Sequence, residues 1–575
     1  MSFKNLQFHK MKPSPLVVLI GLFIFCLFYN ADQINAQTVF EHPTATAIYD
    51  FLDELANSGY IEIKSGVKPY SGIQIQKWLN EASFHKKEMP TRLRKELEFY
   101  LLIYNSEPTN EFYKQNLFLK RDDKISSGFS LSRLNFFYQD SLLKISIRPV
   151  LGYQVFSNGN QNITHRWNGA EAHALVGENL GVYASLRDNN ESGKLTAPNF
   201  FNQRYGVPVK NFGNKGFDYS ESRGGIVYFW KWGYIGLVKD HFVWGEGYHG
   251  SNILSGRTPS FASIILKLEP ARWISFNYFH GWLVSNVVDS SRSYYDNYVF
   301  RPVYHNKFIA ANLLTISPVR NLHLSFGNSI IYSDLGIHPG YLNPFMFYKS
   351  VDHTLNNTNL FGETGQNSQM FIIISSRQIK KLHLYGNAYF DELNISRIKN
   401  GKIHNFFSIK TGFKTSNLLL NNFSFTGEYT FTKPLAYAHK ISTTTFTSND
   451  FNLGHYLKDN SKELYFCLTY KPVRGLRISA EYIYARHYND YVYDNRPNVD
   501  NDKPFKDLTW SQKEFAMDAR YDILFNVGIM FRISRSDVKG YEADGKPAQY
   551  YLEKYTPEIY RGKKTIISGG LFIGF

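Results

Sequence analysis

The final stretch of the chain, K-K-T-I-I-S-G-G-L-F-I-G-F at positions 563–575, has the alternation of a strand that crosses a membrane. The residues of one face, counted back from the terminus in steps of two, are Phe575, Ile573, Leu571, Gly569 and Ile567. The other face is small except for Phe572. This two-residue period predicts one face toward lipid and one toward a lumen. Phe575, with Ile573 and Leu571, resembles the C-terminal signal that the barrel-assembly machinery recognises.

The composition also favours a β-barrel over a helical membrane protein. The chain has 575 residues, of which 17% are aromatic, and a mean hydropathy of -0.33. No apolar run after the N-terminus reaches the roughly 20 residues that a spanning helix requires. Many tilted strands with aromatic girdles at the membrane surfaces account for both properties.

Residues 1–36 read as a secretory signal peptide. Three lysines precede an apolar run at 16–29, and residues 34–36 form a cleavage site. A lipoprotein signal with Cys26 as the lipidated residue is disfavoured, because a large aromatic residue precedes it where a small one is required. Cleavage would lower the formal charge from +15 to +13 and leave Cys467 as the single cysteine. We therefore expect an exported protein without a disulfide bond.

Residues 37–110 carry the helical periodicity of the chain. Apolar residues from Ile48 to Leu55 follow helical spacing, and Ser71 with Gln74 forms a capping-box pattern before a second helix. Thr91 can cap a third helix. Three short amphipathic helices bury little surface alone, so we expect a small N-terminal α-helical bundle that plugs the periplasmic mouth of a barrel.

From residue 111 to 575 the period changes from 3.6 to two. The clearest strand, at 422–432, alternates aromatic residues with serine, threonine and glutamate, and 476–487 repeats this pattern. Short turns alternate with long polar segments, as in bacterial barrels with periplasmic turns and long extracellular loops. A soluble β-sandwich would not require that alternation. The count is about 19 or 20 strands, with the first hairpin near 115–140 the least regular.

The most distinctive segment is D-H-F-V-W-G-E-G-Y-H-G-S-N-I-L-S at 240–255. It contains G-x-G-x-x-G after a strand, but no helix follows, so a dinucleotide site is excluded. His241, Glu246 and His249 lack a further ligand at a diagnostic spacing. No serine elbow or pair of carboxylates stands out. We therefore expect no metal, no cofactor and no enzymatic activity.

Two sets of binding or lining residues remain. Aromatic faces beside hydrogen-bonding groups suit sugar rings, so the candidate polysaccharide contacts on the outer surface are Trp244, Glu246, Tyr248 and His249. The alternative is a tight structural turn of glycine and aromatic residues at the barrel rim. The side chains that we expect to face a water-filled lumen are His383, Tyr385, Asn387, Tyr389 and Asp391.

Three motifs carry a resemblance to a known family: S-G-V-K-P-Y-S with K-W-L at 65–79, W-G-E-G-Y-H-G-S-N-I-L-S at 244–255, and H-P-G-Y-L-N-P at 338–344. The chain resembles the Wzi-type capsule assembly family of Bacteroidetes-like sequences. The resemblance implies an 18-stranded outer-membrane barrel with a periplasmic helical bundle, acting as a non-enzymatic lectin for capsular polysaccharide. The fold prediction is thus an all-β transmembrane protein, an outer-membrane antiparallel β-barrel of about 18 strands.

The expected partners are outer-membrane lipid, an acidic surface polysaccharide and the barrel-assembly machinery, with no nucleic acid and a monomeric state. The expected location is the outer membrane, with loops at the cell surface and the helices in the periplasm. The chain also resembles RemB-like gliding-motility proteins, which would share the architecture but serve motility or adhesion. A passive porin is the third alternative, and an open lumen would distinguish it.

Overall fold

The computed structural model describes residues 39–64, 66–104, 116–121, 125–195, 210–211, 216–355, 365–392, 405–418, 420–492 and 503–574. The predicted signal peptide at 1–36 and the terminal Phe575 lie outside these residues. Within them, no helix has both the length and the apolar character needed to span a membrane.

Eighteen antiparallel strands form a closed ring. Their bounds in chain order, β1 to β18, are Leu143–Ser157, Asn162–Val176, Leu180–Glu191, Phe217–Trp230, Gly233–Asp240, Phe261–Ala271, Ile274–Leu283, Lys307–Val319, Leu322–Ser333, Asn367–Ser376, Leu382–Glu392, Phe406–Ser416, Phe423–Thr432, Ser461–Tyr470, Leu476–Tyr488, Leu508–Leu524, Val527–Gly540 and Gly562–Ile573. Each strand pairs with its neighbours along the chain, and β18 pairs with β1 from Ile573↔Leu151 to Ile567↔Ser157. The predicted antiparallel β-barrel of about 18 strands is confirmed.

The sequence count of 19 or 20 strands was too high, because strands before the ring were included. Three short strands, Asn116–Arg121, Ser126–Ser130 and Asn135–Gln139, pair with one another and then with the first residues of β1. Strand β18 occupies the same edge of β1 only from Leu151 onward. The two sets therefore share one long strand edge, and the short strands extend the sheet without entering the ring.

Phe572, the one large residue on the otherwise small face of the C-terminal strand, has a structural role. Leu571 and Ile567 are exposed on the outer wall, as the lipid-facing half of the pattern predicts. Phe572 points inward instead and is buried against Val150 and Trp167. Phe572 therefore packs in the barrel interior at the point where β18 closes the ring on β1.

Among the described residues, three α-helices precede the barrel: α1 at Thr46–Asn57, α2 at Gly72–Ser83 and α3 at Thr91–Tyr104. The predicted cap is present, because the Ser71 side chain accepts a hydrogen bond from the backbone of Gln74 at 3.2 Å. The apolar faces of the helices pack together around buried Phe51, Leu52 and Leu79. The bundle therefore has a small core of its own.

The two ends of the barrel differ. At one end, neighbouring strands are joined by two to six residues, and we call it the short-turn end. At the other, the long-loop end, connections have between four and 33 residues. The helical bundle contacts the short-turn end, where the backbone carbonyl of Asn57 accepts from Lys381 and Glu62 accepts from the backbone of Asn321. The long-loop end carries the short helices α4 at Pro339–Leu342, α5 at Tyr348–Leu355 and α6 at Ala548–Tyr555.

Candidate functional site

The polar face of α1 attaches the bundle to the inner barrel wall. Asp50, Asp53, Glu54 and Asn57 recur at helical spacing opposite the apolar face, so one helix turns acidic groups toward the barrel while its leucines face the bundle. The basic groups that meet them stand on lumen-facing positions and on a short turn. A helix that is buried on both faces in this way must have every charge paired.

The ion pairs of α1 are close, and those of Asp53 are largely buried. Asp53 lies 2.9 Å from Arg377 and 2.8 Å from Lys414. Asp50 lies 2.8 Å from Arg477. Burial alone would raise the pKa of Asp50, but Arg477 and Lys414 lower it to about 2. These carboxylates are therefore ionised at neutral pH and hold the bundle electrostatically.

Glu54 completes this attachment at the edge of the bundle. It pairs with Arg92 of α3 and lies 3.3 Å from Lys471 of a short turn, while Asn417 donates to it at 2.8 Å. Burial opposes its charge, but Lys471 and Arg92 lower the pKa of Glu54 to about 2. One carboxylate thus joins two helices of the bundle to the barrel.

The segment at 241–260, which we call the inward loop, leaves β5 and crosses the lumen instead of extending outward. The backbone of Glu246 donates to Asn387 of β11 at 3.0 Å, and the side chain of Asn252 donates to the Ser408 carbonyl of β12 at 3.0 Å. His249 reaches Glu463 of β14 at 3.2 Å. Strands β5 and β14 are nine positions apart in a ring of eighteen. The inward loop therefore spans the full width of the barrel.

Glycines allow the tight course of this loop. Gly245 and Gly247 have φ values of 112° and 147°, which side chains rarely permit. A Cβ on Gly247 would stand 2.6 Å from the carbonyl oxygen of Gly250. The pattern G-x-G-x-x-G thus serves a backbone that folds back on itself inside the barrel.

Tyr248 joins the inward loop to the bundle and to the wall. Its hydroxyl lies 2.7 Å from Asp53 of α1 and 2.8 Å from Nδ1 of His383. Its backbone donates to Glu428 at 2.6 Å, and the ammonium of Lys414 lies 4.2 Å from its ring centre. Displacement of the bundle would therefore remove a partner from the inward loop as well.

His249 forms the second polar centre of the loop. Its ring stacks on Tyr465 at 4.2 Å with an interplanar angle of 11°, and Glu463 holds both this ring and His455, the latter at 3.1 Å. Burial opposes a positive charge on the ring, but the carboxylate of Glu463 raises the pKa of His249 above its usual value. These buried, mutually paired polar groups make the inward loop rigid where it crosses the lumen.

The four predicted polysaccharide contacts lie inside the barrel, so their expected position on the outer surface is corrected. Trp244 is buried in the lumen core against Phe279. Glu246, Tyr248 and His249 face the opposite wall, as described above. The long segment could not be recognised as inward from its polarity alone, because an exposed loop and a loop that lines a polar lumen have the same composition. A role in glycan contact stays a prediction.

The five predicted lumen residues all face the interior, but the bundle and the loops cover them. His383 contacts Tyr248, Tyr385 hydrogen-bonds to Glu428, and Asn387 donates to the carbonyl of Glu246. Tyr389 packs against Tyr437 and Phe446, and Asp391 accepts from Gln369 at 3.4 Å. The predicted ladder therefore serves as the wall against which the interior segments pack.

One group of side chains among the described residues has the arrangement of a metal site: His42, Glu221 and His241, whose ligand atoms lie within 4.8 Å of one another. The combination of His241 with Glu246 and His249, which the sequence analysis disfavoured as a metal site, is not assembled, because Glu246 and His249 face the opposite wall. The backbone of Thr44 donates to Nδ1 of His42, which puts the proton of the neutral ring on Nε2, toward Glu221. Burial, with Arg223 nearby, lowers the pKa of His42 to about 4. Hydrogen bonds account for this group.

A surface feature at the long-loop end was missed by the sequence analysis. Tyr294–Asp296 and Val299–Arg301 form a β-hairpin whose side chains are all exposed. Tyr295 and Tyr298 are 75% and 101% exposed. The sequence signal was present in S-Y-Y-D-N-Y-V-F-R, where aromatic residues surround an Asp-Asn turn. We call this element the aromatic hairpin.

No known protein family matches the sequence, and no curated protein is similar to it in sequence. Solved structures are similar in fold. Wzi of Escherichia coli, an outer membrane protein involved in Group 1 capsule assembly and described as a carbohydrate-binding β-barrel, matches with a TM-score of 0.53 and 12% identity, covering 94% of this chain and 100% of Wzi. OccK8 (OprE) of Pseudomonas aeruginosa matches with a TM-score of 0.38 and 9% identity, covering 75% of this chain and 98% of OccK8. OccAB1 of Acinetobacter baumannii matches with a TM-score of 0.41 and 10% identity, covering 75% of this chain and 96% of OccAB1. The similarity to Wzi supports an outer-membrane barrel.

Proposed function

We propose that this protein binds surface polysaccharide without cleaving it, at the long-loop end of a closed barrel. The observation that carries the proposal is the combination of a filled interior with aromatic rings presented to solvent. The inward loop and the bundle occupy the lumen from opposite ends and meet at Tyr248, which contacts Asp53. A solute would have to break buried ion pairs to pass, so passive permeation is disfavoured.

The aromatic hairpin is the proposed glycan contact. Exposed aromatic residues offer apolar faces to sugar rings, and Arg292 and Arg301 of the same loop add donors for hydroxyl and carboxylate groups. An exposed apolar group gains by covering its surface, and a long carbohydrate chain can cover several rings at once. The formal charge of +13 that is left after removal of the predicted signal peptide favours an acidic polymer. The carbohydrate binding described for Wzi agrees with this class of ligand.

The first test measures binding of purified protein in detergent to immobilised acidic and neutral polysaccharides. Replacing Tyr295 and Tyr298 with alanine should weaken binding about fivefold for each ring, because a stacked aromatic face contributes roughly 1 kcal/mol beyond its buried area. Tyr550→Ala is the matched control, since Tyr550 is an exposed tyrosine of another loop region. Unchanged binding by the double variant would move the site elsewhere on the surface.

A second variant separates the hairpin from the inward loop. Trp244→Ala removes a buried ring of the lumen core and leaves the hairpin in place. Under the proposal, Trp244→Ala retains polysaccharide binding. Loss of binding by Trp244→Ala with an intact barrel and an unaffected hairpin variant would place the glycan in the lumen. If the parent protein binds no polysaccharide at all, adhesion or motility becomes the better explanation.

Single-channel recording in planar bilayers tests the closed interior. The intact chain should show low conductance, and removal of the bundle at 37–110 should increase it. High conductance with the bundle present would favour a porin.

A further inference from the structure

The loop that contains H-P-G-Y-L-N-P does not stay above the barrel. Residues 334–355, which we call the external segment, turn down over the outside of β7, β8 and β9. Phe345 stacks on Phe276 with ring centres 4.9 Å apart, and Phe276 is only two residues from the short-turn end of β7. The external segment therefore covers the outer wall over most of the strand length.

The direction of the side chains establishes that this is the outer face. Phe279 points into the lumen, where it packs on Trp244. Its neighbours Tyr278 and His280 must point outward, because successive side chains alternate across a strand. Both are nevertheless buried, at 5% and 0% exposure. Tyr278 is covered by Tyr341 and Tyr348 of the external segment, and His280 contacts Tyr332 of β9.

A row of polar side chains crosses this part of the outer wall. Tyr278, Asn312 and Asn328 are paired in register on three adjacent strands. Polar residues are unfavourable on a wall that faces hydrocarbon. Here each one meets the backbone of the external segment, which explains its presence.

The hydrogen bonds of this row are complete and specific. Asn312 donates to the carbonyls of Pro344 and Met346 at 2.8 and 2.9 Å, and the backbone of Tyr348 donates to Asn328 at 2.9 Å. Tyr278 donates to the carbonyls of Tyr341 and Leu342 at 3.1 and 3.2 Å. Irregular backbone is tolerated at membrane depth only where its polar groups are satisfied in this way.

The external segment leaves a groove between itself and the wall. Its volume is about 470 Å³, within the range of small-molecule sites. The lining side chains are apolar apart from the two asparagines, which are engaged by backbone: Leu268, Pro270, Ile274, Phe276, Leu314, Phe345, Met346 and Phe347. Phe345 and Phe347 are 69% and 47% exposed at its outer edge. With an apolar lining and both asparagines already hydrogen-bonded, the groove has no polar group that could bind a sugar or an ion.

We propose that this groove binds the hydrocarbon chain of a membrane lipid. The groove is continuous with the lipid-facing wall, whose neighbouring outward residues Phe326, Ile372 and Ile374 are apolar and exposed. It lies toward the short-turn end, so the chain comes from a lipid of the leaflet on that side. A chain enclosed on two sides makes van der Waals contacts with protein atoms on both, so it is held more firmly than lipid around a smooth barrel.

Lipid retention tests the site. The full-length protein is reconstituted in vesicles of dioleoyl phosphatidylethanolamine and phosphatidylglycerol, extracted into lipid-free detergent, and weighed by native mass spectrometry. The parent should retain a lipid molecule. Leu314→Trp, which fills the groove from the wall, should retain none, while Ile372→Trp, an outward residue beside it, should behave as the parent. A parent without lipid, or a Leu314→Trp variant that keeps it, overturns the proposal.

A second measurement applies if Leu314→Trp fails to assemble. Phe345→Trp places a fluorophore at the edge of the groove, and vesicles with brominated acyl chains quench a tryptophan that touches hydrocarbon. We expect additional quenching for Phe345→Trp and none for Tyr298→Trp in the aromatic hairpin. Equal quenching of the two, or none at position 345, would mean that the external segment is outside the hydrocarbon layer and would overturn the lipid site.

Discussion

Replacing Asp53 with asparagine should release the helical bundle from the barrel wall. The carboxylate lies 2.9 Å from Arg377 and 2.8 Å from Lys414, and it accepts a hydrogen bond from Tyr248 at 2.7 Å. Asparagine keeps the shape but removes the carboxylate that pairs directly with both buried cations, and Lys414 keeps only the more distant Asp50, at 3.9 Å. Breaking a buried pair by removing one partner costs about 3–5 kcal/mol. The population of undocked bundle should therefore rise by roughly 150- to 5,000-fold.

The assay is thiol labelling at Ser416, which the docked bundle covers. Ser416 is 1% exposed and accepts from Asn57 of α1 at 3.0 Å. Ser416→Cys in a Cys467→Ser background reacts with a water-soluble maleimide only when the bundle moves away. When opening and closing are fast relative to labelling, the labelling rate is proportional to the open population. Asp53→Asn should therefore accelerate labelling by the same factor.

The matched control is Glu98→Gln on the outer surface of the same bundle. Glu98 pairs with Lys86 at 2.8 Å, but both side chains are close to half exposed. Exposed pairs contribute about 0–1 kcal/mol, so the labelling rate should change by less than about tenfold. Equal labelling of Asp53→Asn and the parent would refute the idea that these ion pairs hold the bundle in place.

The remaining predictions concern pH, the inward loop and ring closure. The pKa values of Asp50 and Glu54 are about 2 when the bundle is docked. The two carboxylates therefore stabilise the docked bundle fully above their unfolded pKa of about 4, and this stabilisation is lost as pH falls toward 2. Pepsin should cleave the bundle increasingly between about pH 4 and 2, and constant resistance would contradict this. Gly247→Ala should displace the inward loop and raise single-channel conductance, because the new Cβ would stand 2.6 Å from a carbonyl oxygen; unaltered conductance would show that the loop accommodates it. Phe572→Ala should destabilise the barrel by about 3–5 kcal/mol and lower the temperature at which its folded band disappears on gels, with the exposed Leu571→Ala as the milder control.

The class of fold is readable from local patterns. The two-residue alternation at 563–575 predicts a strand between lipid and lumen, and helical spacing from Ile48 to Leu55 predicts α1. Both patterns depend only on residues close in the chain, because each records which face of a single element is apolar. The alternation of short and long connections then implies a barrel with two different ends.

The strand number and the interior were decided by contacts between distant residues. The hairpins before Leu143 have the same alternation as ring strands, and only the closure of β18 on β1 excludes them. Asp53 and Arg377, which attach the bundle, are 324 residues apart. No local pattern indicates such a partner, since an acidic residue on a helix is equally consistent with a solvated face.

The long connections show this most clearly. The inward loop, the aromatic hairpin and the external segment are all polar and aromatic stretches between strands, yet one crosses the lumen, one faces solvent and one covers the outer wall. Their destinations depend on which wall residues can satisfy their backbone groups: Asn387 and Glu428 inside, and Asn312 and Asn328 outside. Those residues come together only when the ring closes, because hydrogen-bond partners are selected by distance in space and not by spacing along the chain.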